Sequence, residues 1–392
     1  MAHTALHTTP AITARIPLLD VLRGAAVLGT LMTNVWIFTA PGSEWSVLHG
    51  RLDLPDPLAR PSAAAVAESV FRFLADGKFL SLLTILFGVG LAVQYDSAAR
   101  RGEPWPGRYR RRAAFLFLEG TVHFFLVFAW DVLMGYAVTA LLVARLLAAS
   151  ERVRRRVMWA AGGTHLALVS LVTLGELAES GAEGPSAPGP EAVRLYARGG
   201  YAEQVRFRLD HALALRIEPV FSFGMLVFLF LLGVRLYRAG AFAPTAAGRR
   251  IRSRMAAWGL GLGLPLGAVA ALGGPDFFVL GRYGIAPLIA LGYIGLIGAA
   301  LDRFAVPGAT TLGCVGRTAL SCYVGQNLLC MLLCYGIGLG LADRLGGTGP
   351  WWVMGLWATV SLALAAGSAL WLRRFGRGPL EAVQHRVLRA RR

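Results

Sequence analysis

The stretch RRRAAFLFLEGTVHFFLVFAWDVLMGYAVTALLVARLLAA, residues 110–149, decides how this chain folds. After three arginines it stays apolar for far longer than the roughly 20 residues that one bilayer crossing takes. Trp130 and Asp131 stand near its middle. A single helix would carry Asp131 to mid-bilayer, where an ionisable group is costly. Two short antiparallel spans, 113–129 and 131–149, put Asp131 at the surface turn between them. The sequence therefore predicts a helical hairpin here. The direction of every later helix rests on it.

Outward from the hairpin the same pattern repeats. Apolar runs at about 18–39, 68–94, 157–177, 216–237, 253–273, 277–301, 318–341 and 351–372 complete a set of ten. The whole chain is 56% hydrophobic and only 16% charged, with mean hydropathy +0.56, outside the range of soluble domains. Residues 18–39 are too long for a signal-peptide core and are interrupted by Asp20 and Arg23, so they read as an uncleaved first helix. Arginines crowd alternate connections: Arg100 to Arg112, Arg152 to Arg156, Arg238 to Arg254, and the tail from Arg373. Basic connections face the cytoplasm. The fold class that follows is an all-α polytopic membrane protein of about ten transmembrane helices with both termini cytoplasmic, in a bacterial cytoplasmic membrane. A cytoplasmic segment 1–17 precedes one transmembrane domain, 18–372, with outer loops 40–67 and 178–215. Within the second loop, 180–193 is low-complexity and 194–212 reads as a short amphipathic outer helix or lid. A basic tail, 373–392, follows; Leu380, Val383, Val387 and Leu388 on one side suit a helix at the membrane surface.

The net charge of +17 sits between apolar runs, which excludes a nucleic-acid binder. Lys78 is the single lysine, a bias expected of a GC-rich bacterial genome. Cys314, Cys322, Cys330 and Cys334 smear around one helix and cannot converge on a metal; they read as small packing residues. No internal repeat and no clearly Gly/Pro-broken helix pair is visible. Partners expected are membrane lipids and a small-molecule or glycan acceptor; a homo-oligomer is compatible.

Ionisable and amide side chains inside spans mark function, and the topology gives each a depth. An outer layer holds Asn34, Asp76, Lys78, His123, Asp131 and Arg282, with Tyr283 beside Arg282. An inner layer holds Asp20, Arg23, Arg317 and Tyr323; Gln326 and Asn327 climb from it to the middle. One histidine flanked by carboxylates makes a general-base site. Glu119, four residues before His123, or Asp131 orients the imidazole. Lys78 and Arg282 suit an oxyanion or an anionic group. Asn34, Asp76, Tyr283 and Gln326 are candidates for lining the substrate site. Bland alternatives stand beside these: Asp20 with Arg23 as an inner-face ion pair, His123 as a buried histidine bonded to Glu119, and Lys78 with Asp76 as a snorkelling or paired set. His165 reads as structural. His49 and His211 lie on outer loops within reach of an outward-facing site, and His3, His7 and His385 are incidental.

LDVLRG (19–24) with Asn34, DGKFLSLLTILFGVGLA (76–92), the histidine and turn of 110–137, GYAEQVRFR (200–208), VGRTALSCYVGQN (315–327) and GPLE (378–381) together resemble the YeiB-like family, domain of unknown function 418. The resemblance covers nearly the whole chain. Trp130 stands where that family usually has glycine. The resemblance implies a place among transmembrane acyltransferases, alongside the acyltransferase-3 proteins and heparan-alpha-glucosaminide N-acetyltransferase. It also implies acyl-CoA, chiefly acetyl-CoA, as donor substrate, with Asp20, Arg23, Arg317 and Tyr323 toward the donor. The heparan enzyme's histidine has no counterpart at the matching distance, where Trp45 stands; His123 matches the YeiB-like pattern instead. A small-molecule transporter or a non-catalytic membrane component are the other functional classes.

Overall fold

The computed structural model describes residues 16–48, 61–179 and 189–389. His3, His7 and His49 lie outside them, as do most of the low-complexity stretch 180–193 and parts of both loops. The described residues are helical throughout, with no strand.

In chain order the helices are α1 (Pro17–Thr39), α2 (Ala63–Ala75), α3 (Lys78–Arg100), α4 (Gly107–Leu126), α5 (Leu133–Leu147), α6 (Glu151–Ala178), α7 (Pro190–Arg198), α8 (Tyr201–Asp210), α9 (Ile217–Phe221), α10 (Phe223–Arg238), α11 (Ala246–Gly261), α12 (Gly263–Leu272), α13 (Ala286–Arg303), α14 (Ala309–Arg317), α15 (Ala319–Cys334), α16 (Leu341–Leu345), α17 (Trp351–Arg374) and α18 (Pro379–Arg389). Six stretches are long and apolar enough to cross a membrane: Pro17–Thr39, Ala63–Arg100, Glu151–Ala178, Ala246–Leu272, Pro275–Arg303 and Trp351–Arg374. Ala214–Phe221 and Phe223–Arg238, bent by 43° at Ser222, make a seventh if counted together. Helices α5 and α15 are apolar but shorter, and the first turns of α4 carry four arginines.

The hairpin predicted at 113–149 is present. α4 ends at Leu126, the chain turns through 127–132, and α5 returns against α4. Gly120 makes the contact possible: a Cβ there would lie 2.8 Å from Met134 N and 2.8 Å from an Asp131 carboxylate oxygen. Helix α1 runs through the centre, packed on α3, α14, α15 and α17. Its backbone touches that of α14, since a Cβ on Gly316 would lie 1.8 Å from Asp20 O.

The span expected at 68–94 is broken. Asp76 and Gly77 form a turn between α2 and α3, and Gly77 adopts φ +74°, which side chains disfavour. It also abuts the Arg282 carbonyl, 2.3 Å from where a Cβ would stand. Arg282 lies in a π-helical turn, Leu280–Ile285, that leads into α13. The expectation of unbroken helices therefore fails at Asp76–Gly77, at Ser222 and at Leu280–Ile285. An apolar run reports the length of a span and not the continuity of its hydrogen bonds. His165 Nε2 meets the Tyr283 carbonyl at 3.2 Å, beside the π turn, in keeping with a structural role.

Candidate functional site

The centre of the site is built by the turn between α4 and α5. Asp131 caps α5: its Oδ2 accepts from Leu133 N at 2.9 Å and Met134 N at 3.3 Å. Its Oδ1 meets His123 Nδ1 at 3.1 Å. The turn itself is clamped by Arg216, which donates to Asp131 O at 2.8 Å and lies over the Phe124 ring. On the far side of the imidazole, Asn327 Nδ2 stands 3.3 Å from His123 Nε2. Asn327 Oδ1 in turn accepts from Asn34 Nδ2 at 3.3 Å. The network sets the tautomer: Nδ1–H donates to Asp131, and the Nε2 lone pair accepts from Asn327. Tyr323 completes the group. Its hydroxyl donates to Asp131 Oδ1 at 3.5 Å and accepts from Val132 N at 3.3 Å.

His123 and Asp131 are 2% and 1% exposed, so the pair is sealed behind its neighbours. Of the two carboxylates expected to orient His123, Asp131 does so and Glu119 does not. Neither Glu119 oxygen finds a partner among the described residues, although both are buried. Four residues along a helix put Glu119 and His123 on one face, but the imidazole turns toward the α4–α5 turn.

Two cavities flank this pair. The first, of about 470 Å³, lies toward the end of the bundle that carries α7 and α8. Asn34, Asp76, Arg282 and Tyr283 line it together, and so do Thr30, Glu218 and Tyr323, the last of which the sequence placed in the inner layer. Lys78, Gln326 and His123 do not line it. Lys78 is buried with Nζ 4.7 Å from the centre of the Phe73 ring, and Gln326 acts one step back by donating to Thr30 Oγ1 at 3.4 Å. Arg282 is engaged rather than free: it donates to Glu218 Oε1 at 3.1 Å and to the Tyr283 hydroxyl at 3.2 Å, and Tyr283 donates to the same Glu218 oxygen at 2.5 Å.

The second cavity, of about 380 Å³, lies toward the arginine-rich end. Arg23, Arg112 and Arg317 give it three guanidiniums; Val27, Leu83, Phe87 and Leu133 give it apolar walls. Arg317 Nε is buried without a hydrogen-bond partner among the described residues. Asp20 is not in the lining; it pairs with Arg23 at 3.3 Å, the expected ion pair. The tail helix α18 closes one side. Glu381 accepts from Leu320 N at 2.8 Å and from Ser321 Oγ at 2.6 Å, capping α15. Val383 and Val387 face outward, 46% and 53% exposed, which suits a membrane surface.

Above the first cavity stands a third cluster that the sequence reading missed. Glu44 and Arg208 are both 0% exposed and pair through two bonds, Nε to Oε2 at 2.9 Å and Nη2 to Oε1 at 3.0 Å. Tyr196 and Tyr335 donate to the same carboxylate at 3.0 and 3.2 Å. Arg208 also donates to Phe125 O at 3.1 Å and Val127 O at 3.3 Å, carbonyls that the end of α4 leaves open. Burial works against the Arg208 charge, but Glu44 more than offsets it and holds the guanidinium above its ordinary value. The segment 194–212, expected as one short outer helix or lid, is instead two helices, α7 and α8, parted at Gly199–Gly200, and Arg208 ties the second to the turn beyond His123. His211 stacks on Phe207 within this lid and lies outside the cavity lining. Glu44 stood in the sequence as one more acid of the loop 40–67, and Glu218 as an acid in the first turn of the expected span 216–237. Asn327, four residues after Tyr323 on one helix face, was noted in the sequence as an amide inside a span but was given no role at the site.

Residues 236–391 match a family described as a protein of unknown function, DUF418. Over nearly its whole length the chain is similar to two uncharacterized bacterial proteins. YxaH of Bacillus subtilis (strain 168) is 26% identical over 387 residues, covering 94% of this chain and 92% of the relative. YeiB of Escherichia coli (strain K12) is 28% identical over 387 residues, covering 93% of each. These matches support the YeiB-like DUF418 family. The matched segment contains Arg282, Tyr283, Tyr323, Asn327 and Glu381; His123 and Asp131 lie before it. An uncharacterized 39.9 kDa protein from Bacillus acidopullulyticus is 32% identical over 114 residues, 29% of each chain.

Proposed function

We propose that this chain is a membrane-bound acyltransferase, within the transmembrane acyltransferase superfamily, that moves an acyl group, acetyl foremost, from acyl-CoA to a hydroxyl or amine of a sugar, envelope glycan or secondary metabolite. In this reading the chain crosses a bacterial cytoplasmic membrane ten times, the short helices α4, α5 and α15 included, and both termini face the cytoplasm. Acyl-CoA enters the arginine-lined cavity, with Arg23, Arg112 and Arg317 toward its phosphates. The acceptor enters the opposite cavity, beside Asn34.

The observation that carries the proposal is the position of the His123–Asp131 pair between two cavities of opposite ends. His123 Nε2 takes the proton from the acceptor as its oxygen or nitrogen attacks the thioester carbonyl; the C–S bond breaks, and the proton passes to the departing thiolate. Asp131 stabilises the imidazolium that forms in between. Asn327 must give up its hydrogen bond to Nε2 for the acceptor to reach the base, and its link to Asn34 in the cavity wall offers that route.

The test uses purified protein in detergent with labelled acetyl-CoA, comparing wild type with His123→Ala. Binding and slow hydrolysis or transfer are expected from wild type. Absence of all three with any acyl-CoA sinks the enzyme reading; undiminished activity in His123→Ala sinks only the assignment of the base.

A second reading, a small-molecule transporter, is favoured by the helix breaks that meet at the first cavity. Asp76–Gly77 and the π turn Leu280–Ile285 resemble the discontinuous helices that bind cargo in carriers. Counterflow of a labelled solute without acyl-CoA turnover would select it.

A further inference from the structure

The two cavities come much closer than their opposite mouths suggest. On α1, Val27 lines the arginine-side cavity and Thr30 the lid-side one. On α3, Leu83 and Leu80 divide in the same way, and across the start of α5 so do Leu133 and Val132. Three residues of helix rise about 4.5 Å. The partition is thus less than one helical turn thick on α1 and α3, and a single residue step at the start of α5. Among the described residues Tyr323 alone lines both cavities.

Tyr323 is 4% exposed, and nothing but two weak hydrogen bonds ties its hydroxyl, at 3.5 Å to Asp131 Oδ1 and 3.3 Å from Val132 N. Its ring lies beside the imidazole, with centroids 5.6 Å apart. A single aromatic side chain on long hydrogen bonds, set between two cavities, is a side chain that can leave its position by a rotamer change.

We infer that Tyr323 is the gate between the two cavities: with its hydroxyl on Asp131 and Val132 it seals them apart, and when it swings away they join beside the His123–Asp131 pair. The same motion removes one donor from Asp131, so opening and a change in the hydrogen bonding of the pair occur together. Every solute or acyl group that passes between the cavities must pass this side chain. The gate does not depend on which chemistry the site performs.

The experiment measures halide influx into sealed proteoliposomes that hold a halide-quenched dye. The arginine-lined side favours a small anion as probe. Tyr323→Ala removes the plug, and influx rises about tenfold or more over wild type. Tyr323→Phe keeps the ring but loses both hydrogen bonds, and influx rises about three- to tenfold, as a loss near 1 kcal/mol implies. Leu362→Ala, 70% exposed on α17 and in the wall of neither cavity, leaves influx at the wild-type rate. Folded Ala and Phe variants that both stay as tight as wild type overturn the gate. If the Ala variant does not fold, the Phe variant decides. No acyl donor is present, so this result stands or falls separately from the acyltransferase reading.

Discussion

Two buried ionic groups lie on either side of the same turn and differ in one respect. At the lid, the Glu44 carboxylate takes two bonds from Arg208 and one each from Tyr196 and Tyr335, and neither of the two cavities described is lined by Glu44 or Arg208. At the centre, His123 and Asp131 are equally buried, yet their bonds to Asn327 and Tyr323 are longer, and Tyr323 and Asn327's partner Asn34 line the cavities. A saturated buried pair fixes geometry: loss of either partner strands the other without solvent. A pair with movable neighbours can exchange one of them for a ligand. Burial and charge are common to both, so neither marks a reactive site by itself; replaceable contacts do.

The comparison predicts opposite responses to mutation. Glu44→Ala strands Arg208 in a dry pocket and should lower stability by about 3–5 kcal/mol, read as a large fall in thermal unfolding temperature in detergent. Arg208→Ala should match it, and the double variant should cost clearly less than the sum. An additive double variant would mean that the lid is not a coupled latch. Asp131→Asn keeps the shape and an acceptor for α5, so unfolding should shift little. Under the acyltransferase reading, turnover should fall about a hundredfold or more. A variant that loses as much stability as Glu44→Ala would make the central pair another structural latch, and undiminished turnover would remove Asp131 from the reaction. The smallest effect expected is at the tail. Glu381→Gln weakens the cap of α15, and about 1 kcal/mol should be lost, seen as faster exchange of the Leu320 and Ser321 amides with no change elsewhere.

Much of this arrangement was legible in the chain. Asp131 in the middle of an apolar run demanded a turn, and the turn placed His123 one helical end away from it. Asn34, Asp76 and Arg282, assigned to one layer by counting residues along alternating spans, line one cavity. The helical character of 194–212 was visible in its amphipathic pattern, but its division at Gly199–Gly200 was not. The errors share a cause. Glu119 and Asp131 are both near His123 in sequence, and only the rotation of α4 against α5 chose between them. Lys78 and Arg282 have the same depth, but Lys78 turns onto Phe73 while Arg282 turns to Glu218. Depth is one coordinate; the direction around the helix is set by packing.

By itself, the sequence determined the all-helical class and the helical hairpin at 113–149, because bilayer thickness and the cost of charge in hydrocarbon act on residues one span at a time. Only the tertiary structure decided that Asp76–Gly77 breaks its helix against the π turn of Arg282, that Glu44 finds Arg208, and that Tyr323 faces two cavities. Each of these joins residues far apart in the chain. Glycine contacts, buried pairs and shared cavity walls arise only when helices meet at a fixed angle and distance, and no periodicity along one helix encodes the neighbour it will meet.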